Sequence, residues 1–415
     1  MCGVTGSSRF ASVGSTMRDW DVIICGAGPA GAATALHLVR RDPALAGRIL
    51  VLEKARHPRP KVCAGGLIPH VLDSLDELDV GLTVPHVMVD RARIEVPTRR
   101  VEVEGQRVCA IIRRDEFDAS LVAAVRARGI TLREDEKVLA LERVQDGVRV
   151  TTACGEYHAA LVVGADGSGS TVRRRLVAAD EDKRAIGRAV MADVPVDGAC
   201  LWDGHQRARY DFDFREVPAG LAGYSWMFPC LIREQPHVNV GVYARRAAEG
   251  PRLVPMLDAL VRQVGGSAVR HEAAPIRGYA ETRFVAPRVL LVGDAAGVEP
   301  LMGEGISFAF EYGRWAADEI AMASARTDWA LTGAEDRFRT SWVGKKLRRL
   351  SQAATMFYGP GAPLLLAAVA RWPGVQDAGL RWYNGVDGWD RRSGWEVLWS
   401  AVRGPAVARE PLGVR

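Results

Sequence analysis

The sequence predicts an α/β chain of two interleaved domains, one built on a parallel sheet and one on an antiparallel sheet, with a helical C-terminal region. Three observations predict it. Short, unbroken apolar runs at Asp21–Cys25, Arg48–Leu52, Leu161–Val163 and Val289–Val292 are each followed at once by glycine or an acid, as buried parallel strands are. Between them, residues 91–112 and about 185–285 alternate apolar with polar, with Pro and Gly as punctuation, as in Val190–Val194, Tyr210–Phe214 and Val238–Tyr243. Beyond Val292 the pattern turns helical, first over Ile306–Ala321 and then through most of the chain to Arg415.

The expected boundaries follow. The parallel-sheet domain is discontinuous, over 19–90, 111–184 and 286–325; the antiparallel-sheet domain takes 91–110 and 185–285; a helical cap takes 326–415. Residues 1–18, rich in Ser, Gly and Thr and without an apolar core of signal-peptide length, are expected to be a disordered tail, with Met17 an alternative start. Within the first domain a helix over Ala32–Val39 joins the first two strands. A helix over Asp115–Arg128 is expected to be capped by Asp115 and ended by Gly129. Lys137–Val144 and Val148–Ala153 form a hairpin across Asp146-Gly147.

Composition narrows the function classes. A net charge of +5 over 415 residues is mild, and no nucleic-acid-binding signature accompanies it. The seven cysteines include no CxxC and no Cys/His cluster at zinc spacing, so a reducing compartment is expected and no metal site. HExxH, GxSxG, Walker A and EF-hand patterns are absent. No apolar run reaches the roughly 18 residues that span a bilayer. The expected location is the cytoplasm, either free or peripheral to the inner face of the membrane; the oligomeric state stays open.

The chemistry begins at Gly26-Ala27-Gly28-Pro29-Ala30-Gly31, between the first strand and its helix. A pyrophosphate must approach backbone closely at a helix N-terminus, where side chains would block it and free N–H groups and the helix dipole favour negative charge. Glu53 ends the second strand 22 residues after Gly31, where an acid accepts from a ribose 2′-OH. Strand, turn, helix, strand and acid together are a dinucleotide fingerprint in its Rossmann-type context. The acid would repel a 2′-phosphate and so disfavours NADP there, but does not separate FAD from NAD.

Further segments resemble the geranylgeranyl reductase family of FAD-dependent oxidoreductases, within the p-hydroxybenzoate-hydroxylase-like superfamily. The likeness covers about residues 19–325, with the pieces in the family's order. Gly164-Ala165-Asp166-Gly167 resembles the superfamily's DG motif, which implies that Asp166 and Gly167 help position the pyrophosphate. Val292-Gly293-Asp294-Ala295-Ala296-Gly297 resembles the GD motif, which implies that Asp294 holds the ribityl chain. Pro300–Ile306 resembles the segment whose amides face the flavin pyrimidine edge, which brings in Gly303, Gly305 and Ile306. Arg114 matches an FAD-contacting arginine, and Lys54 and Val138 complete the cofactor set. Lys61-Val62-Cys63-Ala64-Gly65-Gly66 is similar to the KxCxG loop beside the flavin; its cysteine either relays a proton or packs as a small hydrophobe. Tyr224-Ser225-Trp226-Met227-Phe228-Pro229 resembles the YxWxFP signature. On a strand its three aromatics share one face, suited to walling an isoprenoid chain or simply half-buried.

The resemblance implies FAD, with NAD(P)H as a transient reductant and hydride transfer to a carbon–carbon double bond of a prenyl chain in a lipid, quinone or natural product. Cys63, Tyr224 and Trp226 are the candidate catalytic residues, and Tyr224, Cys63 or water would supply the proton. The alternative is an oxygen-consuming monooxygenase, a hydroxylase or epoxidase, with halogenation further off because the segment reads Gly-Glu-Gly-Ile and the aromatic motif departs from WxWxIP. The C-terminal region carries Trp329, Trp342, Trp372, Trp382, Trp389, Trp395, Trp399 and the basic run Lys345-Lys346-Leu347-Arg348-Arg349. It reads either as a cap that closes a lipid tunnel and touches a membrane surface, or as a helical appendage with a solvated basic face.

Overall fold

The computed structural model describes residues 20–177, 186–202, 207–246, 250–267, 270–280 and 282–376. The tail expected over 1–18, and Trp382, Trp389, Trp395 and Trp399, lie outside the described residues. The chain runs β1 (Trp20–Cys25), α1 (Pro29–Arg41), β2 (Ile49–Leu52), β3 (Gly66–Leu67), α2 (Pro69–Glu77), β4 (His86–Val96), β5 (Arg99–Ile112) and α3 (Arg114–Ala127). It continues through β6 (Thr131–Arg133), β7 (Val138–Val144), β8 (Gly147–Thr152), β9 (Glu156–Gly164), β10 (Ile186–Pro195), β11 (Ala208–Asp213), β12 (Gly223–Ile232) and β13 (Gln235–Ala244). Then come α4 (Gly250–Gln263), β14 (Glu272–Arg277), β15 (Val285–Ala286), β16 (Val289–Leu291), α5 (Ile306–Arg326), α6 (Ala334–Thr340), α7 (Trp342–Phe357) and α8 (Ala362–Arg371).

Two eight-stranded sheets result. The first has the order β15-β16-β9-β1-β2-β6, with β8 and β7 added beside β9. Its centre is parallel: β1 pairs with β2 and β9, β9 with β16, and β2 with β6. These strands are apolar on both faces because both are covered, and Ile23, Ile24, Leu50 and Val162 are fully buried. The second sheet has the order β14-β10-β13-β12-β11-β4-β5-β3. It is antiparallel except where β4 and β11 run parallel, an exception the alternating pattern does not reveal. Its strands come from Gly66–Leu67, from His86 to Ile112 and from Ile186 to Arg277, so that they extend past 91–110 on both sides.

Local chemistry explains where the elements differ from expectation. The first helix starts at Pro29 rather than Ala32, because proline's fixed φ and missing N–H suit the first helical position. Asp115 is not a cap. The third helix begins at Arg114 with Arg113 at the cap position and no side-chain capping bond, and Asp115 sits in the first turn, where a carboxylate meets the positive end of the helix dipole. Gly129, at φ 74°, does end that helix.

α1 and α5 pack face to face across small residues. A Cβ on Gly313 would lie 2.7 Å from Ala33 Cβ and 2.7 Å from the Thr34 nitrogen, so the two helices touch backbone to backbone. Gly313→Ala therefore forces them apart. It should cost about 1–3 kcal/mol by overpacking, read as a lowered denaturation midpoint with an unchanged slope; a midpoint equal to wild type would mean the interface is looser than this geometry.

Candidate active site

A cavity of about 700 Å³ opens between the carboxyl ends of the parallel strands and one face of the antiparallel sheet. The crevice beyond the carboxyl ends is where open α/β sheets bind ligands. The three motif glycines have different jobs there. A Cβ on Gly26, at φ +110°, would meet Ala165 O at 2.3 Å, and one on Gly31 would meet Gly26 O at 1.9 Å. Both are demanded by the fold of the turn itself. A Cβ on Gly28 would meet only Arg59 Nη2, at 3.6 Å, so this glycine keeps the cavity clear. Gly28 also precedes α1 with no side-chain cap, which leaves first-turn N–H groups of the helix for an anion.

Glu53 lines the cavity and is partly spent on its own loop. Its Oε2 accepts from Ala27 N at 2.9 Å and its Oε1 from Ala55 N at 3.1 Å, with Arg59 Nε 3.7 Å away. Asp166 Oδ2 accepts from Thr171 N at 2.6 Å and Val172 N at 3.1 Å, while Oδ1 is buried without a partner. Burial raises the Asp166 pKa, against the hydrogen bonds that lower it. Asp294 Oδ2 accepts from Ser168 Oγ at 3.1 Å. Arg114 forms a paired hydrogen bond to Asp118, Nε to Oδ1 at 2.7 Å and Nη2 to Oδ2 at 2.9 Å. Burial alone would lower the Arg114 pKa; Asp118, and then Cys63 within hydrogen-bond reach, outweigh it and raise it.

The antiparallel sheet supplies the other wall. Tyr224, Trp226 and Phe228 do share one face of β12 and all line the cavity. Trp226 is fixed by Nε1–H donation to Asn239 Oδ1 at 2.7 Å, and its ring fills the space above Gly241. The Tyr224 hydroxyl donates to Met302 O, and burial pushes its pKa well up. Cys63 is half-buried, with Sγ accepting from Gly65 N at 3.4 Å.

Of the residues expected at the site, the structure brings all but two onto this cavity. They include Lys54, Ala64, Gly65, Val138, Gly167, Gly303, Gly305 and Ile306. Ala27 and Gly31 stand behind the wall. Sequence reasoning missed Arg59, Tyr243, Ile276, Lys137, Arg174 and Glu304, which also line it. Arg59 had a faint signal in the basic, proline-punctuated turn before Lys61; Tyr243 was readable only as an alternate position on its strand. Among the described residues no cluster of His, Cys, Asp and Glu suits a metal ion.

Comparison with known proteins gives the class first. The model of the FAD binding domain family matches residues 19–324, so fold and cleft define an FAD-dependent oxidoreductase. Digeranylgeranylglycerophospholipid reductase 1 of Methanopyrus kandleri is 31% identical over 352 residues, 78% of this chain and 86% of its own. Menaquinone reductase of Mycolicibacterium smegmatis is 30% identical over 75% of this chain and 78% of its own. A geranylgeranyl bacteriochlorophyll reductase-like protein of Thermoplasma acidophilum superposes with a TM-score of 0.69 at 19% identity, covering 92% of this chain and 96% of its own. The chain belongs to the geranylgeranyl reductase family of FAD-dependent oxidoreductases.

The glycines separate site from scaffold experimentally. Gly28→Val is expected to fold with wild-type circular dichroism and to lose bound flavin by at least tenfold in affinity, whereas Gly26→Ala, strained in φ and in contact, is expected to lose stability as well. Flavin retained at wild-type affinity in Gly28→Val would mean that this turn does not face the cofactor.

Proposed function

We propose that this protein reduces carbon–carbon double bonds of a prenyl chain, carried by a lipid, a quinone or a natural product, with electrons drawn from NAD(P)H. One observation carries the reading: a single cavity runs from the bare turn at Gly28 to the aromatic face Tyr224–Trp226–Phe228. A polar end suited to a dinucleotide thus opens directly onto an apolar end suited to a hydrocarbon. The names of the relatives, a digeranylgeranylglycerophospholipid reductase and a menaquinone reductase, fit such substrates.

The residues present fit FAD. Gly28 offers a cradle that a Cβ would fill, and Asp166 Oδ1 is a buried acceptor without a partner on the same cavity. Backbone N–H groups at Gly28 and Ala30 would hold the pyrophosphate, with Pro29 starting the helix between them and Asp166 and Gly167 opposite. Glu53 and Lys54 would take the adenosine ribose, with Val138 beside them, and Asp294 the ribityl chain. Gly303, Gly305 and Ile306 would meet the pyrimidine edge. Arg114 and the Cys63-Ala64-Gly65 loop would flank the ring. When bound, the flavin supplies a two-electron carrier that accepts hydride from a nicotinamide and gives it to carbon.

The chain's own residues then orient the alkene, exclude water and place a proton. Trp226 and Phe228 form the hydrocarbon wall, and the Asn239 bond keeps Trp226 from turning away. Tyr224 holds its proton on Met302 O and is deeply buried, which suits it to positioning. Cys63, half-buried on the cavity wall with Arg114, is the other candidate proton donor, beside water. One hydride and this proton saturate one double bond. Entry from a membrane surface fits the exposed apolar side chains Met356, Leu364 and Trp372 around the bent pair α7–α8. Among the described residues no single helix is long and apolar enough to cross a membrane.

Two measurements check the reading. Photoreduced protein mixed anaerobically with geranylgeranyl lipids, or with menaquinone whose head is reoxidised before analysis, should yield products heavier by two hydrogen atoms per turnover in the prenyl chain; a product carrying added oxygen, formed only in air, would replace reduction by monooxygenation. Glu53→Arg should purify colourless while keeping its fold, and stoichiometric flavin in that variant would remove Glu53 from the ribose.

A further inference from the structure

The turn over residues 299–304, between the Asp294 segment and α5, is held from both sides. Three tyrosine hydroxyls from three elements donate to three consecutive carbonyls: Tyr243 of β13 to Pro300 O at 3.3 Å, Tyr358 at the end of α7 to Leu301 O at 2.6 Å, and Tyr224 of β12 to Met302 O. From inside the turn, the Glu299 carboxylate accepts from the amides of Leu301, Met302 and Glu304, with Met302 N at 2.8 Å from Oε2. Glu299 is 2% exposed, and among the described residues no ion pair reaches it. Met302, Gly303 and Glu304 of the same turn line the cavity.

A buried carboxylate held by hydroxyls and amides, with no cation paired to it, is costly to ionise. The groups packed around it are Tyr224 on β12, Tyr243 on β13 with Arg245 two residues on, Tyr358 after α7, and Glu304 on its own turn. Burial pushes the Glu299 pKa up to about 7, the amides of Met302 and Leu301 pull it back, and Glu304 adds to the rise. The tyrosines stay protonated, since burial raises each of them. Glu299 thus changes charge near neutrality, and burial pushes the neighbouring Glu304 carboxyl up as well, against its bonds from Ser307.

We propose that Glu299 is a positioning residue that holds the 299–304 turn against the cavity and exchanges a proton in step with the charge on the cavity side of that turn. Ionised Glu299 places a negative charge behind Met302, Gly303 and Glu304, which line the cavity, and spends three of the turn's N–H groups. Protonation withdraws that charge. Negative charge arriving in the cavity therefore favours uptake of one proton from water by Glu299, and the linkage is reciprocal. The proposal rests on the reading that this turn meets the flavin, where two-electron reduction adds negative charge.

The test compares wild type, Glu299→Gln and Tyr358→Phe. In flavin-free protein the sign follows from the raised pKa. The charged form is disfavoured in the fold, so Glu299 costs wild type stability as pH rises from 4.5 to about 7, and wild type should lose more over that window than Glu299→Gln, which keeps Glu304. The variant should gain melting temperature over wild type across that window. With flavin bound, the midpoint potential of wild type should fall more steeply with pH through neutrality than that of Glu299→Gln, and at pH 8 the variant should sit higher. Tyr358→Phe removes a clamp but no charge and should keep the wild-type inflection. Parallel stability profiles in the flavin-free proteins, or equal potential slopes in flavin-loaded ones, would overturn the role of Glu299 and leave the cofactor reading standing. An inflection lost in Tyr358→Phe would also overturn it, by tracing the pH effect to loosening of the turn. Protein that refuses flavin would sink the cofactor reading and, with it, the coupling, while the flavin-free profile still decides whether Glu299 titrates.

Discussion

The rest of the structure depends on the backbone contact between the turn after β1 and the turn after β9. Ala165 N donates to Cys25 O at 2.8 Å, Gly26 N donates to Leu52 O at 2.8 Å, and no Cβ fits between Gly26 and Ala165 O. Three strand ends are thereby drawn to one level, and the first turn of α1 is tipped against the crevice. Gly31 then lets the helix close onto Gly26 O. The contact leaves Gly28 as the bare position that faces open space, so a constraint internal to the fold decides where an anion can approach a helix N-terminus. The acids in the crevice follow from the same geometry. Glu53 is tied to Ala27 N, and the orphaned oxygen of Asp166 stands on the other turn.

The second sheet answers this polar floor with an apolar wall whose positions are fixed from behind. Gly241 is empty of side chain because the Trp226 ring occupies that space, and Asn239 holds the indole while donating to Asp193 Oδ1 at 2.7 Å. Arg113 binds the same Asp193 at 2.7 Å and stands next to Arg114, whose own charge is matched by Asp118. One run of hydrogen bonds thus leads from the aromatic wall to Arg113, the residue before the cavity-lining Arg114. Charge is neutralised pair by pair, as buried charge must be.

Much of this was readable from sequence, for identifiable reasons. The βαβ unit and the shared face of Tyr224, Trp226 and Phe228 are local patterns, in which residue spacing directly sets which side chains share a face, whereas the Asp166 and Asp294 turns were legible through their resemblance to the family's motifs. The parallel pairing of β4 with β11 and the depth of Arg59 depend on partners far away in the chain, and alternation looks the same whichever way a neighbouring strand runs. The cap at Asp115 failed because an acid can sit in the first turn as favourably as at the cap, and composition does not distinguish them. The glycine motif was legible as a whole, yet its spacing could not tell Gly26 and Gly31, which the backbone requires, from Gly28, which the cavity requires.

The C-terminal region shows the same limit from the other direction. Its tryptophans and basic run suggested a role by composition, but among the described residues it is Tyr358, with no motif around it in the sequence, that bonds the turn lining the cavity. It closes α7 and places its hydroxyl on Leu301 O, in the turn that Tyr224 and Tyr243 grip from the sheet. A turn with three consecutive carbonyls engaged by side chains cannot shift without breaking bonds to two β-strands and one helix at once. The parallel-sheet domain supplies the turn, the antiparallel sheet two of its clamps, and the C-terminal helices the third. The C-terminal helices are therefore part of what shapes the cavity, and removing them would reach the site through Leu301 without touching any residue of its wall.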